Sequence, residues 1–438
     1  MEIPLDIISL VNSELFRHLL LITSLFWITW AYCLKPKWSF CIDDGPGVGA
    51  FSDRFIQTKD QAGNIIKEEK IDYYEQDVNG KNVKFGNFQF NPHLGFPASI
   101  NRWLRTIWGR SFREIGKNSK GHSVYGFVQI AWKHHLLNLI VQYANCLLAY
   151  FFFSKIFNPQ LAFATVLIFS VHPISVQVTG WISGVPYALG LLGTLIALNL
   201  SLYITNFFLL IPLISFFAAF SVLNMLPGFF TFAILFLIGK NEAGFVYLLV
   251  GFLVFLQQSN FVIKYRTNAF KEQQMGDSTR FYPRKIFIVL KTIWYYFKLI
   301  IFPKRLGLFH TFLYHFEETG KHFNWQALFG IVSSLACVIW YFFAPEPVKM
   351  GLVWYFIYLI VFSNFITANQ IVSERYIFFP LVGFSLIVAY FLQSQPILLA
   401  FILGIYVMRV WVHLPTFTNE VRFYESNCFN FPDSEVAM

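Results

Sequence analysis

The chain has 438 residues, of which 56% are hydrophobic and 13% charged, and its mean hydropathy is +0.53. Because soluble domains carry about 25% charged residues, this composition excludes an ordinary soluble protein and indicates a membrane protein. The net charge of +9 suits anionic lipid headgroups or a phosphate-bearing substrate. No RNA- or DNA-binding module occurs in the sequence, so no nucleic-acid partner is expected.

A membrane-spanning helix needs about 20 mainly apolar residues. By this measure the sequence predicts an all-α integral membrane fold of about eleven transmembrane helices. The first follows a mildly acidic N-terminal segment without a clear cleavage site, so it is expected to stay as an anchor. The predicted spans are 15–34, 136–154, 160–179, 183–203, 206–223, 225–240, 243–258, 326–343, 349–367, 376–392 and 396–412.

The first long region between spans, 35–134, begins with an acid pair, Asp43 and Asp44. Two adjacent carboxylates titrate at different pH values, so one can serve as a general base near neutral pH. The same pair, followed by Gly45, also suits a turn with solvated carboxylates. Both interpretations remain open at this point.

Further along the same region, apolar residues recur at helical spacing while arginines occupy other faces. This pattern predicts an amphipathic helix in the membrane interface, and a soluble helix packed on the loop is the alternative. The apolar residues are Ile100, Trp103, Leu104, Ile107 and Trp108, and the arginines are Arg102, Arg105, Arg110 and Arg113.

The second long region, 259–325, contains the apolar run Ile286–Phe302. Lys291 and Lys298 interrupt this run seven residues apart, on one helix stripe, which favours an interfacial helix over a twelfth span. With eleven spans, both long regions and the C-terminus share one membrane face. Arg17, Lys155, Lys240 and Lys349 mark the opposite face as the inner one, so the shared face is expected to be extracytoplasmic. More basic residues lie in the two long regions, but loops longer than about 60 residues escape the positive-inside rule.

Polar residues also mark the ends of several predicted spans. His135, Asn138 and Gln142 share one stripe of the second span, where they can contact a headgroup or bond neighbouring helices. His172 precedes Pro173 at the outer end of the third span, and a single histidine there is more often a hydrogen-bonded packing residue than a ligand.

Glu374 and Arg375 form a charged pair at the start of the tenth span. A guanidinium at a membrane edge is shaped to hold phosphate with two parallel hydrogen bonds. Anchoring of the helix end by its charges explains the pair equally well. The sequence contains no Ser-His-Asp set, glycine-rich phosphate loop or HExxH motif, which argues against a hydrolase or a nucleotide-driven pump.

In their order along the chain, these motifs resemble the membrane half of the TMTC-type protein O-mannosyltransferases and their bacterial relatives, which are GT-C-class glycosyltransferases. Each motif is short, so the resemblance lies in order and spacing over nearly the whole chain. The matching residues are Asp43-Asp44; His135 and Asn138 with Leu147-Leu148; Val171-His172-Pro173 with Gly180-Trp181-Ile182-Ser183-Gly184; Tyr296, Phe302-Pro303 and Leu306; and Ser373-Glu374-Arg375-Tyr376 with Pro380 and Gly383.

The resemblance implies a polyprenyl-phosphate sugar as donor and a protein or glycan hydroxyl as acceptor. Asp43 and Asp44 would be catalytic, one of them as the general base. The donor phosphate and lipid would lie among Arg375, Glu374, His172, His135, Asn138, Arg284 and Lys285. No metal ligand and no further cofactor is assigned. The implied location is a membrane with an extracytoplasmic active face, a bacterial plasma membrane ahead of the endoplasmic reticulum.

The chain departs from the family pattern at charged positions. Gln177 stands where the family usually has an acid, and Val185 where it has an arginine. The C-terminal residues resemble the run-in to a tetratricopeptide array that this sequence does not continue, which implies a protein partner in its place. These departures leave open a second hypothesis, a catalytically inactive GT-C-like scaffold subunit that docks a partner.

Overall fold

The computed structural model describes residues 13–35, 54–59, 65–71, 74–76, 82–84, 107–117, 123–272, 285–307, 323–364, 372–418 and 420–430. Most of these residues are helical, as predicted. The helices are α1 (Glu14–Trp30), α2 (Ala131–Ile156), α3 (Pro159–Val171), α4 (Val176–Thr179), α5 (Val185–Tyr203), α6 (Phe207–Asn224), α7 (Thr231–Leu237), α8 (Asn241–Glu272), α9 (Lys285–Ile301), α10 (Trp325–Phe343), α11 (Glu346–Leu359), α12 (Phe378–Leu392), α13 (Pro396–His413) and α14 (Glu420–Asn430).

The described residues include seven helices that are long and apolar enough to cross a membrane. An eighth span results if α3 and α4, which meet at a 50° bend, are counted as one. The multi-pass helical class is therefore confirmed. A helix or a bent pair lies at each of the eleven predicted spans, but α7, α11 and the apolar first part of α8 are too short to pass the same test.

Side-chain caps determine where several of these helices begin. Ser13 accepts a hydrogen bond from the backbone N–H of the third residue after it at 3.2 Å. Asn158 accepts in the same way at 2.8 Å, and Pro159 follows it at the first helical position. Asn206 and Asn324 cap α6 and α10. Each cap satisfies an amide that the first helical turn leaves without an acceptor.

The region between the first two spans contains strands, which the sequence analysis did not predict. The described residues of this region form three separate antiparallel pairs. The pairs are β1 (Arg54–Lys59) with β2 (Ile65–Ile71), β3 (Tyr74–Gln76) with β4 (Asn82–Lys84), and β5 (Arg110–Lys117) with β6 (Ser123–Gln129).

The predicted amphipathic helix is wrong over its last part. Residues 107–109 make one helical turn, and Arg110 and Arg113 then lie in β5, opposite Gln129 and Gly126 of β6. β6 contains two valines and two aromatic residues, which favour strand structure and an extended partner for the segment before it. Cross-strand pairing therefore outweighs the helical spacing, which ends at Trp108. Residues 100–106 lie outside the described part of the chain.

Close backbone contact joins α11 and α12 in the core. A Cβ atom on Gly383 would lie 2.5 Å from the carbonyl oxygen of Gly351, so the two helices meet where neither has a side chain. Trp354 beside this contact is fully buried, and its indole N–H donates to the carbonyl of Phe379 at 2.9 Å. Small residues at such crossings let membrane helices approach closely.

Contacts between helix ends define two ends of the bundle. His18 near the start of α1 lies 3.0 Å from the hydroxyl of Tyr150 near the end of α2. At the other end, Trp30 donates to the carbonyl of Ser170 at 2.8 Å, and Trp411 donates to the last turn of α1 at 3.2 Å. We call this second end, which Trp30, Ser170 and Trp411 mark, the site end.

Candidate functional site

Four chain segments meet at the site end, and each lies next to the end of a helix. They are the bent junction from α3 to α5, the segment after α9, the turn before α12, and the turn after α13. His172 of the junction bonds to Ile300 at the end of α9, and Gln177 bonds to the turn before α12. Polar residues far apart in sequence therefore form one cluster.

His172 packs in this cluster with both ring nitrogens engaged. Its Nδ1 accepts from the backbone N–H of Ile174 at 3.3 Å. The proton must then sit on Nε2, which lies 3.0 Å from the carbonyl oxygen of Ile300 and donates to it. The ring is fully buried. In this arrangement His172 joins the α3–α4 bend to α9, and it has no ring nitrogen left for a headgroup.

Gln177 in α4 holds the turn that precedes α12. Its Oε1 accepts from the backbone N–H of Arg375 at 2.7 Å and from the hydroxyl of Ser373 at 2.9 Å. The backbone N–H of Ser373 donates to the hydroxyl of Tyr296 in α9 at 3.2 Å. Burial raises the pKa of Tyr296 well above its ordinary value, so it remains a neutral phenol. The turn is thus fixed from α4 and from α9.

The guanidinium of Arg375 lies among three aromatic rings. Its central carbon is 5.1 Å from the centroid of Trp181, 5.6 Å from that of Tyr376 and 6.0 Å from that of Tyr187. Tyr376 in turn stacks face to face on Phe362 at 4.2 Å. We call Arg375 with these three rings the Arg375 box. Aromatic faces attract a cation within about 6 Å, and the Arg375 side chain keeps partial exposure.

The polar stripe of α2 supports one wall of this box. The side-chain amide of Asn138 donates to the carbonyl of Trp181 at 2.9 Å, and that of Asn145 donates to the carbonyl of Ala188 at 2.9 Å. His135 is fully buried beside the same segment. The stripe predicted to meet a headgroup or neighbouring helices therefore binds a neighbouring backbone, and it positions the ring of Trp181.

Glu374 is turned away from the box. Its Oε1 accepts from the backbone N–H of Gly307 at 2.5 Å, and its Oε2 lies 3.8 Å from Nε2 of His413. Arg409 interacts with the same carboxylate and donates to the carbonyl of Pro303 at 3.1 Å and to the next carbonyl along. Glu374 therefore joins the segment after α9 to α13, and this fully buried carboxylate is not placed to hold a phosphate.

Four further predicted site residues lie outside the described residues or at their edge. Asp43, Asp44 and Arg284 lie outside the described residues, and Lys285 is described only as the first residue of α9. Within the part of the chain that the structure describes, no group of three or more His, Cys, Asp or Glu residues could hold a metal ion. The structure thus brings together Arg375, Glu374, His172, His135 and Asn138 at one end.

Sequence reasoning missed the roles of Trp181, Tyr187 and Tyr296. Trp181 belongs to a motif that predicts no role for it, and Gln177 is distinguished in the sequence only as a departure from the family pattern. A 3₁₀ turn at Ile182–Gly184 separates the two box residues Trp181 and Tyr187, so no helical period relates them.

No protein-family model matches the chain, and a comparison with curated proteins finds no similar sequence.

Proposed function

We propose that the chain is an integral-membrane glycosyltransferase of the GT-C type. It moves a sugar from a polyprenyl-phosphate carrier to a hydroxyl of a protein or glycan acceptor. The observation that carries this proposal is the Arg375 box at the site end. Aromatic rings around a guanidinium leave its positive charge unneutralised, and the planar guanidinium group is shaped to match two oxygens of a phosphate.

The proposal also specifies how the helices are arranged in the membrane. The chain has eleven spans, and α9 lies in the interface. Two contacts support this position of α9: Trp294 stacks on Phe329 in the first part of α10 at 4.9 Å, and Phe297 stacks on Tyr355 near the end of α11 at 5.2 Å. The site end faces the extracytoplasmic side, in a bacterial plasma membrane.

The acid pair is within reach of the site end in this arrangement. Asp43 follows Lys35, just after α1, by eight residues, and a chain of that length spans at most about 29 Å. One of the two carboxylates takes the proton from the acceptor hydroxyl as its oxygen bonds to the anomeric carbon. The bond from that carbon to the phosphate oxygen breaks, and Arg375 stabilises the departing phosphate.

The test is transfer from a polyprenyl-phosphate sugar by the purified chain in membranes. Because a general base contributes about 10²- to 10⁴-fold to a rate, the double variant Asp43→Asn with Asp44→Asn is expected to lose at least about 100-fold in turnover. Asp60→Asn, which changes another acid of the same region, is the control and should leave turnover unchanged. Equal rates for the double variant and the wild type would exclude the acid pair as the base.

A second candidate function is a non-catalytic scaffold that docks a protein partner. One observation favours it: His172, Glu374 and Asn138 all bond to the chain's own backbone, as structural residues do. Purification in mild detergent separates the two functions. A stoichiometric protein partner without a bound lipid phosphate would support the scaffold.

A further inference from the structure

The residue at position 177 acts on the Arg375 box through the backbone. Gln177 is fully buried, and its Oε1 is the shared acceptor for the backbone N–H of Arg375 and the hydroxyl of Ser373. The backbone N–H of Arg375 can only donate, so the amide atom that it contacts is the oxygen. The direction in which Arg375 leaves the chain is therefore set partly by α4.

The side-chain nitrogen of Gln177, Nε2, shows how a glutamine differs from a glutamate at this position. Its Nε2 has no acceptor among the residues that the structure describes. A glutamate of the same shape would keep both hydrogen bonds that Oε1 accepts and would lose none that the structure shows. The difference between glutamine and glutamate at this position is therefore mainly one of charge.

The nearest acid in sequence is also kept away from the guanidinium. Glu374 precedes Arg375 directly, yet its carboxylate bonds to Gly307 and faces His413. The turn thus uses a neutral acceptor on the side of α4 and directs its own carboxylate toward α13. Both features preserve positive potential at the box, where an anion would bind.

We propose that the Arg375 box binds the phosphate of an anionic lipid and that Gln177 is a positioning residue for Arg375. Because Gln177 is neutral, it also leaves the positive charge of the box intact. This inference rests on the proposed function and names the residue on which phosphate affinity depends. The oxygen of Gln177 holds the turn in place. Its lack of charge leaves the attraction of Arg375 for a phosphate undiminished.

The experiment measures binding of undecaprenyl phosphate to the purified full chain in detergent, by native mass spectrometry, with undecaprenol as the uncharged probe. Gln177→Leu removes the acceptor, whereas Gln177→Glu keeps it and adds charge. Asn199→Leu is the matched control, since Asn199 is a buried amide that bonds the carbonyl of Leu148 in the neighbouring helix. Arg375→Gln tests the box itself.

Both variants of Gln177 are expected to weaken binding by about tenfold, which corresponds to about 1.4 kcal/mol. The deficit of Gln177→Glu should shrink as the pH is lowered and the introduced carboxyl is protonated, whereas that of Gln177→Leu should not. Asn199→Leu should lower the melting temperature and leave binding unchanged.

Three results would overturn the role of Gln177 while leaving the phosphate site standing. The first is a Gln177→Leu variant that binds undecaprenyl phosphate as tightly as the wild type. The second is a Gln177→Glu variant that does so at every pH. The third is a loss of affinity in Asn199→Leu as large as that in Gln177→Leu. Wild-type binding by Arg375→Gln would instead remove the phosphate site, and the proposed function with it.

Discussion

Glu374 and His172 illustrate how single polar residues are used at the site end. Sequence position indicated that both lie near a membrane edge, but their partners are distant in the chain. His172 bonds to a carbonyl 128 positions away, and Glu374 to an amide 67 positions away. Pairings of this kind depend on which loops meet after the helices have packed, so no local pattern in the sequence predicts them.

Replacing Glu374 by alanine should destabilise the protein. The change leaves the buried N–H of Gly307 without its acceptor, and a buried donor left unsatisfied costs about 1–3 kcal/mol. We expect a loss of that size in the free energy of unfolding, measured by denaturant titration in detergent. Glu374→Gln, which retains an acceptor oxygen, should lose less.

Glu346→Ala provides the matched control for this measurement. Glu346 pairs with Lys349 at 2.9 Å, but its side chain is 78% exposed, and such surface pairs contribute about 0–1 kcal/mol. Similar losses for Glu374→Ala and Glu346→Ala would contradict the structural role of the buried carboxylate.

At the scale of elements, hydrophobic length predicted the helices and periodicity misled in one place. Runs of apolar residues are long enough to identify a helix without tertiary information, so the positions of α1, α2 and α5 could be predicted. The helical spacing near Trp108 was continued too far, because the pairing of β5 with β6 depends on a partner later in the chain. The turns of the Arg375 box lie between helices, where periodicity carries no signal.

The crossing of α11 and α12 gives a prediction at this scale. Gly383→Ala places a methyl group 2.5 Å from the backbone oxygen of Gly351, so the helices must separate. Overpacking of this kind costs about 1–3 kcal/mol. The expected result is a lower melting temperature in detergent, in contrast to Gly404→Ala.

Gly404 of α13 is the control because no atom lies within 4 Å of a Cβ added there. Alanine at that position gains up to about 1 kcal/mol from helix propensity. A melting temperature for Gly383→Ala as high as that for Gly404→Ala would show that α11 and α12 do not cross this closely.

At the scale of the whole molecule, the two ends of the bundle differ in composition. Among the residues that the structure describes, the site end gathers Asn138, Gln177, Glu374 and Arg375, whose hydrogen bonds join distant segments, whereas the end marked by His18 and Tyr150 has the His18–Tyr150 contact and the bond from Asn199 to Leu148. This asymmetry could be anticipated from the positions of the polar motifs relative to the predicted spans. The identity of the compartment at each end could not, because the sequence signals conflict between long and short loops.

Accessibility labelling of introduced cysteines tests the arrangement of the ends. Lys35 and Lys304 are exposed at the site end, and Lys155 is exposed at the other. Cysteines at the first two positions should react with an impermeant reagent from the extracytoplasmic side of intact cells. A cysteine at position 155 should react only after the cells are opened. Labelling of positions 35 and 304 from different sides would refute the shared face.

The bend between α3 and α4 makes the count of residues across it critical. Gln177 follows His172 by five positions, and both must meet their partners at once. Inserting one residue into the 3₁₀ turn Pro173–Ser175 would rotate α4 by about 120° and advance it by about 2 Å, so the amide oxygen would point elsewhere although every original residue remained. A chain that keeps this arrangement must therefore keep the five-residue spacing across the bend as well as the two residues.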